Sequence, residues 1–245
     1  MGTDPRPVQA RRSRLRGVRG GVVLIAALAA VLALTLDAAP AGLTSSTDAA
    51  SKVPVILVHG YYGSTASFDI MAARLERRGH TVVAIDLPGN DNVENAQAIR
   101  DLVVARGWTQ VAIVGHSEGG LGAREWVKFY GGRKVAVTYV SLGTPQQGLL
   151  VTCPLPESNG GQMCPGSPFL RKLNAGDETP GPLSWTSVAS TTDQLVPVPA
   201  TLLTGGACNV RVTGPDHSGL LTDPAVFRIV AYAIDGKPCP GTVVK

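Results

Sequence analysis

The 245-residue chain is 44% hydrophobic and 16% charged, with 29 Gly, 18 Pro and a formal net charge of +4. This apolar content excludes a disordered chain, the absence of a Gly period excludes collagen, and the length admits one sizeable domain or two small ones. Six of the 22 basic residues and two of the 18 acidic ones precede Gly42, which leaves sixteen of each sign beyond it. The mature part is thus neutral overall, and nucleic acid is not expected as a partner.

Residues 1–41 read as a signal peptide. Arg11 to Arg19 form a basic start, and Gly21 to Leu36 is an uncharged apolar run of 16 residues. Ala39-Pro40-Ala41 offers small residues for cleavage before Gly42. The run is short for a spanning helix, which needs about 20 residues, so a secreted protein is expected and an uncleaved membrane anchor is the alternative. Arg11-Arg12 and Leu15 share features with a twin-arginine signal, but Arg14 stands at the usual Phe position.

Beyond Gly42, strands and helices alternate. Val53–Val58 is a continuous apolar run, as a strand buried on both faces requires. A helix follows over about Thr65 to Arg78, then a strand at Thr81–Ile85. Asp91 and Glu94 mark the start of a helix whose apolar positions Val93, Ala96, Ile99, Leu102 and Val103 run to about Arg106. A strand is expected at Val111–Val114, a helix at Leu121–Tyr130 and a strand at Val135–Ser141. Two more strands follow at Trp185–Ala189 and Asn209–Thr213. Asp223-Pro224 opens a last helix through Ile234. This rhythm predicts an α/β fold, with a mostly parallel sheet of about six strands and helices on both faces. Residues 42–245 form one domain. Within it, 148–182 is Pro/Gly-rich and without period, an irregular loop insertion.

All four cysteines lie in the mature part. In an exported chain they point to disulfides, and proximity favours Cys153–Cys164 and Cys208–Cys239 among the three pairings. A zinc site is the rival, but there is no C-x-x-C pair and no His near any Cys, so no metal is expected.

The chemistry-bearing residues sit at strand ends. Gly115-His116-Ser117-Glu118-Gly119 follows one predicted strand directly and opens a helix, the context in which G-x-S-x-G lifts a serine clear of a sheet. A serine needs a general base. Of the four histidines, His59 ends the first strand, His80 enters the second and His116 lies inside the serine motif. His217, in the loop between the last strand and the last helix, is left as the base. Asp193, after the strand Trp185–Ala189, suits the orienting acid, with Asp216 the rival and Asp177 in the irregular loop. An oxyanion hole requires one backbone N–H from the residue after the nucleophile and one from the loop after the first strand. These are Glu118 and Tyr61. The Glu118 side chain is expected to point away along the helix, its charge complementing the helix N-terminus.

VILVHGYYG, GHSEGG, SLGTPQQG, SVASTTDQLVP and GPDHSGLL together resemble the α/β-hydrolase superfamily, in particular its small secreted bacterial lipases. The resemblance runs from Val53 to Ile234. It implies Ser117 as nucleophile, His217 as base, Asp193 as acid, and Tyr61 and Glu118 as oxyanion donors. It departs at Glu118, where many relatives carry Met or another neutral residue, and in the length of 148–182. The implied reaction is hydrolysis of fatty-acid esters through an acyl-enzyme, without a cofactor, by a monomer in transient contact with a lipid–water interface. Tyr62, Leu149, Leu195, Val196 and Leu220 are the expected acyl-chain contacts, with Leu150, Val151, Val198 and Leu221 as further candidates near the strand ends. A short-chain esterase or polyesterase and an exported acyltransferase use the same triad. A binding protein on the same fold would need a broken one.

Overall fold

A computed structural model of the chain describes residues 52–240. The signal peptide expected at 1–41 lies outside the described residues. Six strands form one all-parallel sheet: β1 (Val55–Val58), β2 (Val82–Ile85), β3 (Val111–His116), β4 (Ala136–Leu142), β5 (Ser184–Ser190) and β6 (Cys208–Val212). Their order across the sheet is β2-β1-β3-β4-β5-β6.

Alternation within each strand builds two cores. In β1, Val55 and Leu57 face one side and Ile56 and Val58 the other, and all four are fully buried. On the first side lie α1 (Asp69–Glu76) and α5 (Pro224–Ile234), contributing Met71, Leu75, Val226 and Val230. On the second lie α2 (Asn92–Ala105) and α3 (Glu118–Phe129), contributing Ile99, Val103, Trp126 and Val127. A strand covered on both faces has no polar positions to spare, which is why its sequence is an unbroken apolar run.

Side chains mark the helix starts. The Asp91 carboxylate accepts from the N–H groups of Val93 and Glu94, and Asp223 does the same for Ala225 and Val226. The helix expected over Thr65 to Arg78 is two pieces, a 3₁₀ turn at Thr65–Phe68 and α1.

The segment 148–182 is more ordered than its sequence indicates. It holds two short 3₁₀ turns and a helix, α4 (Pro168–Asn174), which starts with Ser167 accepting from Leu170 N–H at 3.1 Å and Pro168 in its first turn. Phe169, Leu170 and Leu173 pack with Met163 and Leu121 in a third small core. Side chains of α3 fasten the segment. Arg124 donates to the Leu173 carbonyl at 3.0 Å, the Asn174 Oδ1 at 2.6 Å and the Gln146 Oε1 at 2.8 Å. Lys128 donates to the carbonyls of Leu173, Ala175 and Asp177. Glu125, fully buried, pairs with Lys172 at 2.7 Å.

Both expected disulfides are present, Cys153–Cys164 within this segment and Cys208–Cys239, which ties the edge strand β6 to the C-terminal tail. The second closes 31 residues of chain. Replacing Cys208 and Cys239 by Ser is expected to lower stability by about 3–4 kcal/mol, from the loop entropy returned to the unfolded chain. Urea unfolding of the double variant beside the parent measures it; a difference under about 1 kcal/mol refutes it.

Candidate active site

The carboxyl ends of β1, β3, β5 and β6 gather on one edge of the sheet, where open parallel sheets place their sites. β3 ends at His116, Ser117 follows at φ 53° and ψ −131°, and α3 begins at once. This left-handed conformation is costly for a residue with a side chain, and the surroundings hold it there. Ser117 N–H donates to the Leu142 carbonyl at 2.9 Å, and Gly120 N–H to the Ser117 carbonyl at 3.1 Å. A Cβ at Gly119 would lie 2.1 Å from the His59 carbonyl oxygen, so residue 119 has to be Gly for the turn to pack on β1.

His217 and Asp193 are in contact. His217 Nδ1 donates to Asp193 Oδ2 at 2.7 Å, which leaves Nε2 as the nitrogen free to act as base. The other oxygen, Oδ1, accepts from the N–H groups of Leu195 and Val196 at 2.8 and 2.9 Å. Burial pushes the Asp193 carboxyl upward, but the bonds from His217, Val196 and Leu195 outweigh it and hold the group below its ordinary value. The rival carboxylates are engaged elsewhere: Asp216 accepts from Gly219 N–H at 2.7 Å, and Asp177 from Thr179 N–H at 2.9 Å.

The sequence assigned no role to two residues that support this pair. His116, buried, has its Nε2 2.9 Å from the His217 carbonyl oxygen and its ring centroid 4.6 Å from that of His217. Burial, with a contribution from His217, lowers His116 to about 4, so its ring is neutral and Nε2–H is the donor. Gly143, at φ 56°, ends β4 beneath the pair. A Cβ there would sit 3.1 Å from Asp193 Oδ2 and 3.2 Å from His217 Nδ1. The SLGTP motif carried that signal, since the residue directly after the strand must be the smallest one to pass under Asp193 and His217. His80 and His59 hold backbone: the Nδ1 of His80 bonds the Val53 carbonyl and that of His59 the Gly60 carbonyl.

The loop after β1 comes against Ser117. A Cβ on Gly60 would lie 2.7 Å from Ser117 Cβ and 3.3 Å from its Oγ. Tyr61 N–H follows directly, and Glu118 N–H stands at the first position of α3, which has no intrahelical acceptor. The next residue, Tyr62, has φ 49° and donates its N–H to Asn90 Oδ1, and Asn90 Nδ2 bonds Asn159 Oδ1. The loop is thereby tied to the 148–182 segment.

The Glu118 side chain corrects an expectation. It does not project along the helix surface but is buried, with Oε1 3.3 Å from Asn92 Nδ2 at the start of α2. Burial raises it to about 8, against the lowering effect of the Asn92 bond, so it is neutral at pH 7 and lends no charge to the helix N-terminus.

Ser117 and His217 open on a cleft of about 600 Å³ whose walls are mostly apolar, among them Leu149, Val151, Leu155, Met163, Leu195 and Val196. Of the expected acyl contacts, Leu149, Leu195 and Val196 line it, as do the further candidates Val151 and Leu221, whereas Leu150 and Val198 do not. Leu220 does not either: it is fully buried in the core below Asp193 and His217. Tyr62 also is not part of the wall; it is exposed, with its ring edge-on to that of Tyr61, which lines the cleft, and of the lining residues Val151 and Leu195 are each more than half exposed.

A triacylglycerol lipase of Burkholderia plantarii is 31% identical over 157 residues, which cover 58% of this chain and 43% of that protein. One from Pseudarthrobacter phenanthrenivorans is 30% identical over 118 residues, covering 42% and 36%. The chain thus spans about two fifths of the length of these curated relatives. Among solved structures, Bacillus licheniformis lipase BlEst2 in its mature form superposes with a TM-score of 0.65 at 17% identity, over 76% of this chain and 93% of that one. The family profile described as alpha/beta hydrolase family matches residues 55–239. With that match, a six-stranded parallel sheet and a serine at a strained strand-to-helix turn, the chain belongs to the alpha/beta hydrolase family.

Proposed function

We propose that this protein is an exported serine lipase that hydrolyses carboxylic esters of apolar acyl chains. The observation that carries the reading is the Asp193–His217 pair opening with Ser117 on a cleft walled by Leu, Val and Met. His217 Nε2 takes the Ser117 proton as Oγ attacks the ester carbonyl, and the N–H groups of Tyr61 and Glu118 receive the alkoxide. The imidazolium then protonates the leaving alcohol. Water, deprotonated by His217, releases the acid and restores Ser117. Asp193 fixes the imidazole tautomer and stabilises its charged form. The exposed leucines and valine at the mouth suit a substrate presented at a lipid surface. Export is supported by the basic, apolar and small-residue regions of 1–41 and agrees with two disulfides.

The test is hydrolysis of p-nitrophenyl esters from acetate to palmitate by the mature protein, beside Ser117→Ala. Turnover of long-chain esters is expected, with kcat at least about 10⁴-fold lower in the variant. Activity confined to short chains would replace lipase by esterase. Activity unchanged in Ser117→Ala overturns the mechanism.

A further inference from the structure

The reaction above uses Glu118 only through its backbone N–H, yet the side chain is buried at the turn that carries the nucleophile. It begins a polar chain. Asn92, which donates to Glu118 Oε1, also donates to Gln162 Oε1 from its backbone N–H at 2.8 Å and from Nδ2 at 3.0 Å. Gln162 Nε2 donates in turn to Asp91 Oδ2 at 3.1 Å. The next residue, Met163, lines the cleft, and its carbonyl accepts from Leu149 N–H at 2.7 Å. One line of hydrogen bonds therefore runs from the oxyanion turn, across the start of α2, to the cleft wall.

Along this line only the single, long Asn92 bond at 3.3 Å favours a charged carboxylate. Its bonded partner is a neutral amide. From α2 it also faces the Asp91 carboxylate, of the same sign, and from the loop after β1 the Tyr61 phenol, whose ionised form is negative too. Among the described residues no cation bonds it. Asn92 Oδ1 is buried without a donor, so an acid proton on Glu118 has an acceptor on the residue it already touches. Burial leads in raising the group from the ordinary 4.5 to about 8. The Asn92 bond opposes the rise, and Asp91 adds to it.

Resting on the hydrolase reading, we propose that Glu118 is a positioning residue that works as a neutral acid. Protonated, it holds the oxyanion turn to α2 and the cleft wall. Ionised, it sets a negative charge beside the forming alkoxide and ends activity on the alkaline side. The group would act through a backbone donor and touch no substrate.

Glu118→Gln keeps an acceptor for Asn92 and cannot ionise; Glu118→Ala cannot ionise and gives up the bond. With each profile normalised to its own maximum, parent kcat/KM is expected to fall above about pH 8, and the fall to move up by roughly a unit or more in both variants. The Ala variant alone is expected to lose about tenfold in kcat, which Gln restores. Identical alkaline limbs in parent and Gln variant overturn the proposal. Melting temperature provides a readout that needs no activity. A carboxyl raised on folding contributes fully below its unfolded value of 4.5, and the contribution is lost as pH rises towards about 8. The stability gap in favour of Glu118→Gln should therefore widen across that window. If the parent hydrolyses no ester, the function reading fails, while a widening gap still upholds the neutral acid and a flat gap removes it.

Discussion

Asp193→Asn is expected to lower kcat by about 10⁴-fold with little change in melting temperature. The reason lies in the three donors aimed at this carboxylate. Leu195 and Val196 N–H both point at Oδ1, and His217 Nδ1–H points at Oδ2. An asparagine has one acceptor oxygen, and two fixed backbone donors compete for it against one rotatable side chain. The oxygen settles on the backbone pair, and the amide NH₂ turns to His217. The imidazole must then accept at Nδ1 and carry its proton on Nε2, where it cannot take one from Ser117. Steady-state kinetics on a p-nitrophenyl ester measure the loss, with Asp216→Asn as the control. Asp216 bonds only the Gly219 N–H of its own turn, so its variant should stay within a few fold of the parent. A large fall in the control and a small one at 193 would reverse the assignment of the acid.

Arg124→Ala is expected to cost about 3–5 kcal/mol, which for a chain of this size lowers the melting temperature by roughly 6–20 °C. Arg124 is wholly buried in α3, and burial holds its guanidinium below the ordinary value. It is tolerated because it donates to a carbonyl and two amide oxygens at the end of α4 and in the loop after β4. Removing it leaves the Gln146 and Asn174 amide oxygens without a donor, takes one of two donors from the Leu173 carbonyl, and opens a void among close-packed neighbours. Thermal unfolding reads the loss, and limited proteolysis within 148–182 should speed up in parallel. A melting point within a few degrees of the parent contradicts the argument.

Sequence served best where local pattern and burial coincide. β1 and β3 lie in the interior of a parallel sheet, so their apolar runs could be read without reference to any partner. α2 and α5 carry their own start signals in Asp91 and Asp223. α4 was missed because seven residues make too few turns to show a period. Its order comes from Arg124, Lys128 and a small core, all distant in the chain. The strand-to-helix turn at G-x-S-x-G is local and was legible. His116 as a support for His217 was not, since the contact joins residues 101 positions apart. Leu220 and Leu221 sit side by side in one 3₁₀ turn, and only the tertiary fold decides which of two adjacent leucines meets the cleft. The Glu118 expectation failed because the helix N-terminus is visible in the sequence, whereas the burial of the side chain beside Asn92, 26 positions away, is not.

The proposed acid and base both follow the last two strands of the sheet in chain order. Asp193 follows β5, and His217 follows β6, a strand with a neighbour on one side only. Edge elements open first when a protein breathes, at a free energy below that of the whole. On the proposed function, competence to hydrolyse is therefore set at the molecule's rim, while its cohesion is set at the centre. Ser117 follows β3, an interior strand buried along its whole length, so on that reading a chain whose final strand has peeled away would keep Ser117 in place and lose the base. The Cys208–Cys239 bridge fastens that strand at its far end, so on the same reading its oxidation guards turnover as much as it guards the fold.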